Sequence, residues 1–327
     1  MKLFGKILLY TLGGLIVILV IAFAYFMIAF PAVGKPEDIK IEPTSQRIER
    51  GEYLFHNVSL CADCHSPRNW NLLTAPIDES RLGTGNTEDF TSKSGFPGDY
   101  YAPNLTPHHL KDWTDGEIFR AVTSGVSKDG RPLFALMPYM NFGKMSREDI
   151  YSIIAYLRSL PANGSDVPVS ESKFPMSLII KMMPKEPEFR EIPDKSNSVK
   201  YGEYMITAAS CGDCHTPMEK GQPIPGKEFA GGNEFMIPTG GVVRSANITG
   251  DKMTGIGSWS KEQFINRFTA YSDSTFQLSQ VSKNQFNTIM PWTKYAGMKK
   301  EDLGAIYDYL MSIKPINNQI VKFEVKK

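Results

Sequence analysis

Two five-residue strings constrain this chain more than any other feature: Cys61-Ala62-Asp63-Cys64-His65 and Cys211-Gly212-Asp213-Cys214-His215. Two thiols three residues apart on one helical turn can bond a planar partner at two points, while the imidazole that follows reaches the partner's centre. That is the spacing of covalent haem c attachment, with Cys61, Cys64, Cys211 and Cys214 as thioether donors and His65 and His215 as iron ligands. Zinc is the competing reading, because two thiols and an imidazole suit that metal too, but the flanking sequence lacks the ligand spacing of a finger. A redox disulfide is the other alternative. The chain holds 4 cysteines, all in these strings. None is left for a structural disulfide, so covalent haem takes over as the staple of each unit.

The strings belong to a longer duplication, with the same signals in the same order over residues 51–161 and 202–315. Gly51-Glu52-Tyr53 and Gly202-Glu203-Tyr204 precede the cysteines and mark a short entering helix. Downstream, Pro103-Asn104-Leu105-Thr106 matches Ala246-Asn247-Ile248-Thr249, and Trp113 matches Trp259. Thr114 with Glu117, and Ser260 with Gln263, are capping-box signatures, so a helix starts after each Trp. A gapless match then pairs Met137, Pro138, Met145, Asp149, Ile153 and Leu157 with Met290, Pro291, Met298, Asp302, Ile306 and Leu310. The helical spacing of Ile150, Ile153, Ile154 and Leu157, and of Leu303, Ile306 and Leu310, predicts a closing amphipathic helix in each unit. Pro161 and Pro315 end those helices. Between the units lies a Pro-rich linker whose apolar patch, Phe174 to Met183, is expected to be buried on its own domain.

The second axial ligand follows by subtraction. The chain has 5 histidines, and beyond residue 200 only His215 occurs, so the second iron needs a donor of another type. Methionine fits, and the duplicated pairs Met137-Pro138 and Met290-Pro291 lie in the loop that can cross the far haem face, with Pro setting its direction. His56, His108 and His109 leave a bis-histidine first site open. Met145 and Met298 read as packing onto the last helix, and Met140, Met182, Met183, Met205, Met218, Met236 and Met253 lack a repeat partner. Asn104, Asn247, Trp113 and Trp259 can touch haem or serve turns and core, and a solvated position is the default for Arg68 and Arg244.

The charge-free run from Ile7 to Phe30 would span roughly 36 Å as a helix, enough to cross a bilayer. Lys2 and Lys6 precede it and place the N-terminus in the cytoplasm and the rest outside the inner membrane. A cleaved signal peptide ending near Ala32-Val33-Gly34 is the alternative, and it exports the chain as well. Across 327 residues the 36 basic and 35 acidic side chains leave a net charge of +1, which gives no bulk field for nucleic acid.

The residues quoted resemble the cytochrome c subunits of membrane-bound alcohol and gluconate dehydrogenases. The second unit carries the resemblance furthest, in Phe229-Ala230-Gly231-Gly232, Asn247-Ile248-Thr249, Thr254-Gly255-Ile256-Gly257-Ser258-Trp259 and Met290-Pro291. The first unit has a different loop from Ser66 to Tyr101. The resemblance implies a mainly α chain of class I cytochrome c domains, here two in tandem, which the charge-free run sets behind one N-terminal transmembrane helix. The two motifs call for two covalent haem c groups, and the resemblance implies Met137 and Met290 as distal ligands to them, with His65 and His215 as proximal ones. The expected segments are an anchor at 1–34, domains at 45–161 and 200–316, the linker at 162–199 and a tail at 317–327.

The expected role is electron relay on the periplasmic side, from a dehydrogenase or other donor towards quinone, a soluble cytochrome or a terminal oxidase, with no catalytic residues. Members of that family usually carry three haem motifs, and this chain has two. The alternatives are a cytochrome subunit of a haem-copper oxidase or related complex, a dihaem peroxidase and a haem-based sensor. A unit of about 110 residues wrapped round a macrocycle needs that macrocycle to complete its core. Protein made without haem attachment should therefore lack native-like circular dichroism, and a native-like spectrum would contradict this reading.

Overall fold

The computed structural model describes residues 2–273 and 275–325. The Lys2 side chain, used above to orient the first helix, and Lys326 and Lys327 of the tail lie outside the described residues. Helix α1, Lys2–Ala29, is the one described helix long and apolar enough to cross a membrane, and its apolar side chains are exposed along its length.

The first unit begins with α2, Ser45–Tyr53, whose N-cap Thr44 accepts from the Arg47 N–H. It continues through one π-helical turn into α3, Cys61–Cys64. There follow β1 (Asn86–Phe90), β2 (Gly98–Ala102), α4 (Pro107–Leu110), α5 (Asp115–Ser124), α6 (Tyr139–Phe142) and α7 (Arg147–Ser159), and then β3 (Glu171–Ser172) and α8 (Met176–Ile179). The second unit comprises α9 (Ser198–Ala208), α10 (Cys211–His215), the short β4 (Met218–Glu219) and β5 (Gln222–Pro223), β6 (Glu234–Met236), β7 (Val242–Arg244), α11 (Lys261–Thr269), α12 (Trp292–Tyr295), α13 (Lys300–Ser312) and β8 (Phe323–Glu324). Both capping boxes form: Thr114 with Glu117 opens α5, and Ser260 with Gln263 opens α11.

The segments expected to be linker and tail are tied into the units. Strand β3 extends the antiparallel β1–β2 pair, and β8 extends β6–β7 in the same way. Each three-stranded patch is thus completed by chain that follows the unit's last helix. The apolar patch of the linker is only partly buried: Ile180 is covered, whereas Phe174, Ile179 and Met182 are exposed. The expectation that this patch packs away on its own domain is corrected for these three side chains.

The crossing of first and last helices shapes each unit. Helix α2 packs on α7, and α9 on α13. The Gly51 backbone lies against the Ser152 carbonyl, and Gly202 lies against that of Ala305; a Cβ at either position would overlap the carbonyl. A side chain there would push the helices apart, and this is the physical reason for the repeated Gly-Glu-Tyr. The crossing sets the direction in which the chain runs on to the cysteines.

The two units share one core and a reciprocal polar contact. Asp149 of α7 is buried, takes two bonds from Arg50 at 2.8 Å within its own unit, and accepts the Tyr204 hydroxyl of the other unit at 2.6 Å. Its repeat equivalent Asp302, also buried, accepts Tyr201 of its own unit at 2.9 Å and Tyr53 of the other at 2.6 Å. Desolvation and the facing carboxylate push the Tyr204 phenol well above its ordinary range, so it remains a neutral donor. Outside this centre, the first unit's 66–77 loop docks on the second unit. The Asn287 side chain donates to the Trp70 and Leu72 carbonyls and accepts from the Thr74 N–H.

Two substitutions test this packing. Gly202→Ala should destabilise the protein by about 1–3 kcal/mol in reversible unfolding, through overpacking at the crossing. Gly212→Ala, whose added Cβ would meet Phe229 at an ordinary 3.7 Å, should stay within about 0.5 kcal/mol. Tyr204→Phe removes one donor from a buried carboxylate and should cost about 1–3 kcal/mol. The double variant Tyr53→Phe/Tyr204→Phe should cost more than either single change.

Candidate functional site

Each attachment motif is reached through a left-handed residue, Leu60 at φ 52° or Ser210 at φ 53°, which turns the chain sharply before Cys61 and Cys211. The short helix that follows places His65 and His215 in the interior, 7% and 9% exposed. Each imidazole is fixed through Nδ1 by a backbone carbonyl, His65 on Pro103 at 2.8 Å and His215 on Ala246 at 2.7 Å. The Nε2 atom then faces away from that bond, the arrangement that orients a ligating imidazole. Burial pushes His65 down to about 4 against the raising effect of its carbonyl partner, and it lowers His215 as well. Both rings are therefore neutral, with a lone pair to offer a metal. Desolvation pushes the thiols of Cys61 and Cys211 up to about 12.

Those carbonyls are held by the residue that follows each of them. Asn104 accepts from the Thr106 N–H and hydroxyl at 2.8 and 2.7 Å, and its amide donates to the Asn163 carbonyl at 2.8 Å. Asn247 repeats the clasp on Thr249, at 3.0 and 2.8 Å, and on the Ile316 carbonyl at 2.7 Å. Both asparagines are buried. Of the two roles open to them from sequence, the structure gives them the structural one: they lock the loop whose preceding carbonyl orients the histidine.

In the first unit Cys61, Cys64, His65 and Met137 line one largely apolar cleft with Pro103, Leu105, Trp113, Ile118 and Leu157 among its walls. Its cavity of about 370 Å³ falls within the range of ligand pockets, roughly 300–1,000 Å³. Two thiols and a neutral imidazole in an apolar cleft that also holds a thioether fit a flat, iron-bearing macrocycle. Met137-Pro138 and Met290-Pro291 adopt the same tight turn, with Pro at φ −80°, ψ 47° and φ −83°, ψ 62°. The Met carbonyl accepts from the N–H two residues on at 2.8 Å in each case, an inverse γ-turn geometry. Met290 packs, half-buried, against the same core as Cys211 and Trp259.

Most competing donors are placed elsewhere or engaged, and His109 is the exception. Met145, Met205 and Met298 are core side chains, and Met140, Met182, Met218, Met236 and Met253 are exposed. His56 pairs with the Tyr156 hydroxyl at 2.8 Å, and His108 lies 3.6 Å from Asp166. His109 lines the first cleft beside Met137. Neither arginine is a free solvated side chain. Arg68 forms a buried ion pair with Asp63 at 3.2 Å, inside the first motif, and Arg244 joins Glu234 and Glu324 at 2.7 and 3.0 Å.

One side chain that the repeat does not flag lies between the motifs. Tyr295 of α12 is buried and donates to the Ala209 carbonyl at 2.7 Å, two residues before Cys211. Burial, the largest cause, pushes its phenol far up, so it stays a neutral donor. From the other side, Asn141 of α6 donates to both Asp213 carboxylate oxygens at 2.9 and 3.0 Å, so each unit's post-methionine helix reaches towards the other's motif. Phe142 stands at the position equivalent to Tyr295, and this loss of identity hides the pair from a search for repeats.

Comparison with known proteins relates the chain to cytochromes c. The cytochrome c family profile matches residues 199–314. The chain is 25% identical to the cytochrome c subunit of a quinone-dependent alcohol dehydrogenase from Gluconacetobacter polyoxogenes, over 90% of this chain and 61% of that protein. It is 25% identical to the fructose dehydrogenase cytochrome subunit of Gluconobacter japonicus, over 81% and 52%, respectively. A dihaem c-type cytochrome of Cereibacter sphaeroides is 24% identical over 93% of this chain and 98% of its own length. The chain thus spans about three fifths of the alcohol dehydrogenase subunit and nearly all of the dihaem protein. It carries, at residues 199–314, a domain of the cytochrome c family, which implies covalent haem c, and its relatives include cytochrome c subunits of dehydrogenases and a dihaem cytochrome c.

Proposed function

We propose that this chain is a membrane-anchored dihaem cytochrome c that relays electrons on the periplasmic side of the cytoplasmic membrane, through two tandem class I units at 45–161 and 200–316. The observation that carries the proposal is the first cleft, where both thiols, the neutral His65 and Met137 share one apolar enclosure. The second unit repeats its supporting parts: the histidine–carbonyl bond, the asparagine clasp and the Met-Pro turn. Bound haem supplies reversible one-electron chemistry at iron. The protein's part is to hold that group, fix both axial donors and keep water from the metal. Cys61 and Cys64 in one unit, and Cys211 and Cys214 in the other, would attach the haem; His65 with Met137, and His215 with Met290, would hold its iron.

A thioether donor opposite imidazole favours the reduced metal and shifts the potential upward, which suits a relay between a dehydrogenase and an oxidising acceptor. A haem held by a histidine and a methionine would leave the iron no position for a substrate, in keeping with an electron-transfer component of a complex, the part that cytochrome c subunits of dehydrogenases play. The donor we assign is a dehydrogenase subunit, on the names that its relatives bear, an alcohol dehydrogenase (quinone) and a fructose dehydrogenase. Helix α1 is assigned as a retained anchor by its length and its exposed apolar surface. The acceptor we assign is quinone, a soluble cytochrome or a terminal oxidase.

The test is near-infrared spectroscopy of the oxidised protein, where sulfur-to-iron bonding gives a weak absorption band. Met137→Ala and Met290→Ala should each remove about half of it, and the double variant all of it, with haem content unchanged. Should Met137→Ala leave the band intact, His109, which shares that cleft, becomes the ligand to replace next, and the paired His/Met assignment fails.

A further inference from the structure

Residues 173–183 form an ordered amphipathic step and not a loose connection. Helix α8 and the 3₁₀ turn after it, Ile180–Met182, are closed by backbone bonds from Ser177 to Lys173, Leu178 and Ile179 to Pro175, and Met183 to Ile180. Yet the step presents Phe174 80% exposed, Met182 51% and Ile179 39%, while Ile180 is buried and Met176, Leu178 and Met183 are half-buried. Three large apolar side chains held outward on a fixed scaffold mark an interaction surface.

Its position names the occupant. The Lys181 ammonium donates to the carbonyl of Phe30, the residue after the end of α1, at 3.4 Å, and the Glu186 carboxylate accepts from the Gly34 N–H at 2.6 Å. The step is therefore pinned to the few residues through which the chain leaves α1. Lys173, Lys181 and Lys185 flank the apolar side chains, a pattern that suits a hydrocarbon boundary edged by anionic headgroups. Ser177, Ile180 and Lys181 also line the cleft that holds Cys61 and Met137.

We propose that this step is a second, interfacial membrane contact: Phe174, Ile179 and Met182 seat in the leaflet from which α1 emerges, and the first cleft opens at the bilayer surface. The anchor alone would leave the folded body free to swing; two contacts fix which face of the first unit meets the membrane. This inference rests on the reading of α1 as a retained anchor.

The full-length holoprotein is reconstituted in vesicles of phosphatidylcholine and phosphatidylglycerol, with the photoreactive p-benzoylphenylalanine replacing Phe174, Met182, Ile16 or Met253 in turn. Met253, 84% exposed in the second unit, is the comparison for non-specific contact. Lipid adducts at 16, 174 and 182, with at least tenfold less at 253, are the expected result. Adducts at 16 without adducts at 174 and 182 overturn the interfacial contact and leave the anchor standing. No adduct at 16 removes the anchor reading and the proposal with it. Equal labelling at 174 and 253, or crosslinks from 174 to a second protein copy in place of lipid, overturns the membrane as occupant.

Discussion

The close crossing of the first and last helices of each unit is the constraint on which the rest of the molecule depends. Backbone meets backbone at Gly51 against Ser152 and at Gly202 against Ala305. With the helices this near, the chain that leaves the first helix is aimed so that one left-handed residue can swing a cysteine motif into the interior. The last helix, fixed in the same crossing, carries the buried aspartate that meets the opposite unit. Lengthening the crossing distance by one methyl group would move the attachment motif and the interface together.

Histidine orientation depends on a second, more local chain of contacts. The carbonyl that holds each imidazole belongs to an otherwise irregular loop, which would wander without a buried clamp. Asn104 and Asn247 supply it by tying that loop to its own threonine and to the backbone beyond the final helix. The strands β3 and β8 strengthen the same connection from outside. Residues far apart in sequence thus set the angle of a single ring, and the chain that follows each unit's last helix is part of its site.

Much of this was legible in the residues themselves, and the reasons differ from feature to feature. The capping boxes at Thr114 and Ser260 and the closing helices were readable because they depend on side chains within a turn or two of one another. The cleft's Cys61, Cys64 and His65 were readable because their spacing is a local geometric requirement, and Met137 because the same pair recurs with its proline. The asparagine clasp was visible as a repeat but not as a mechanism, since its partners Asn163 and Ile316 lie more than fifty residues away. Strands β3 and β8 were missed because strands of two residues carry no periodicity. The buried pairing of Arg68 with Asp63 ran against the default of a solvated arginine. Tyr295 could not be found from the repeat at all, because its counterpart is Phe142.

The reciprocal bonds from Tyr53 to Asp302 and from Tyr204 to Asp149 have the form of a two-fold contact, in which the same patch serves both partners. Such a patch is self-complementary, so the contact has the form that two separate copies of one unit would use to pair. Joining the halves places each patch at an effective concentration on the order of millimolar with respect to the other. The contact then survives changes that an equal pair of separate chains would have to make twice. Arg50 on one side and Tyr201 on the other, each serving its own unit's aspartate, show the halves using that freedom to diverge.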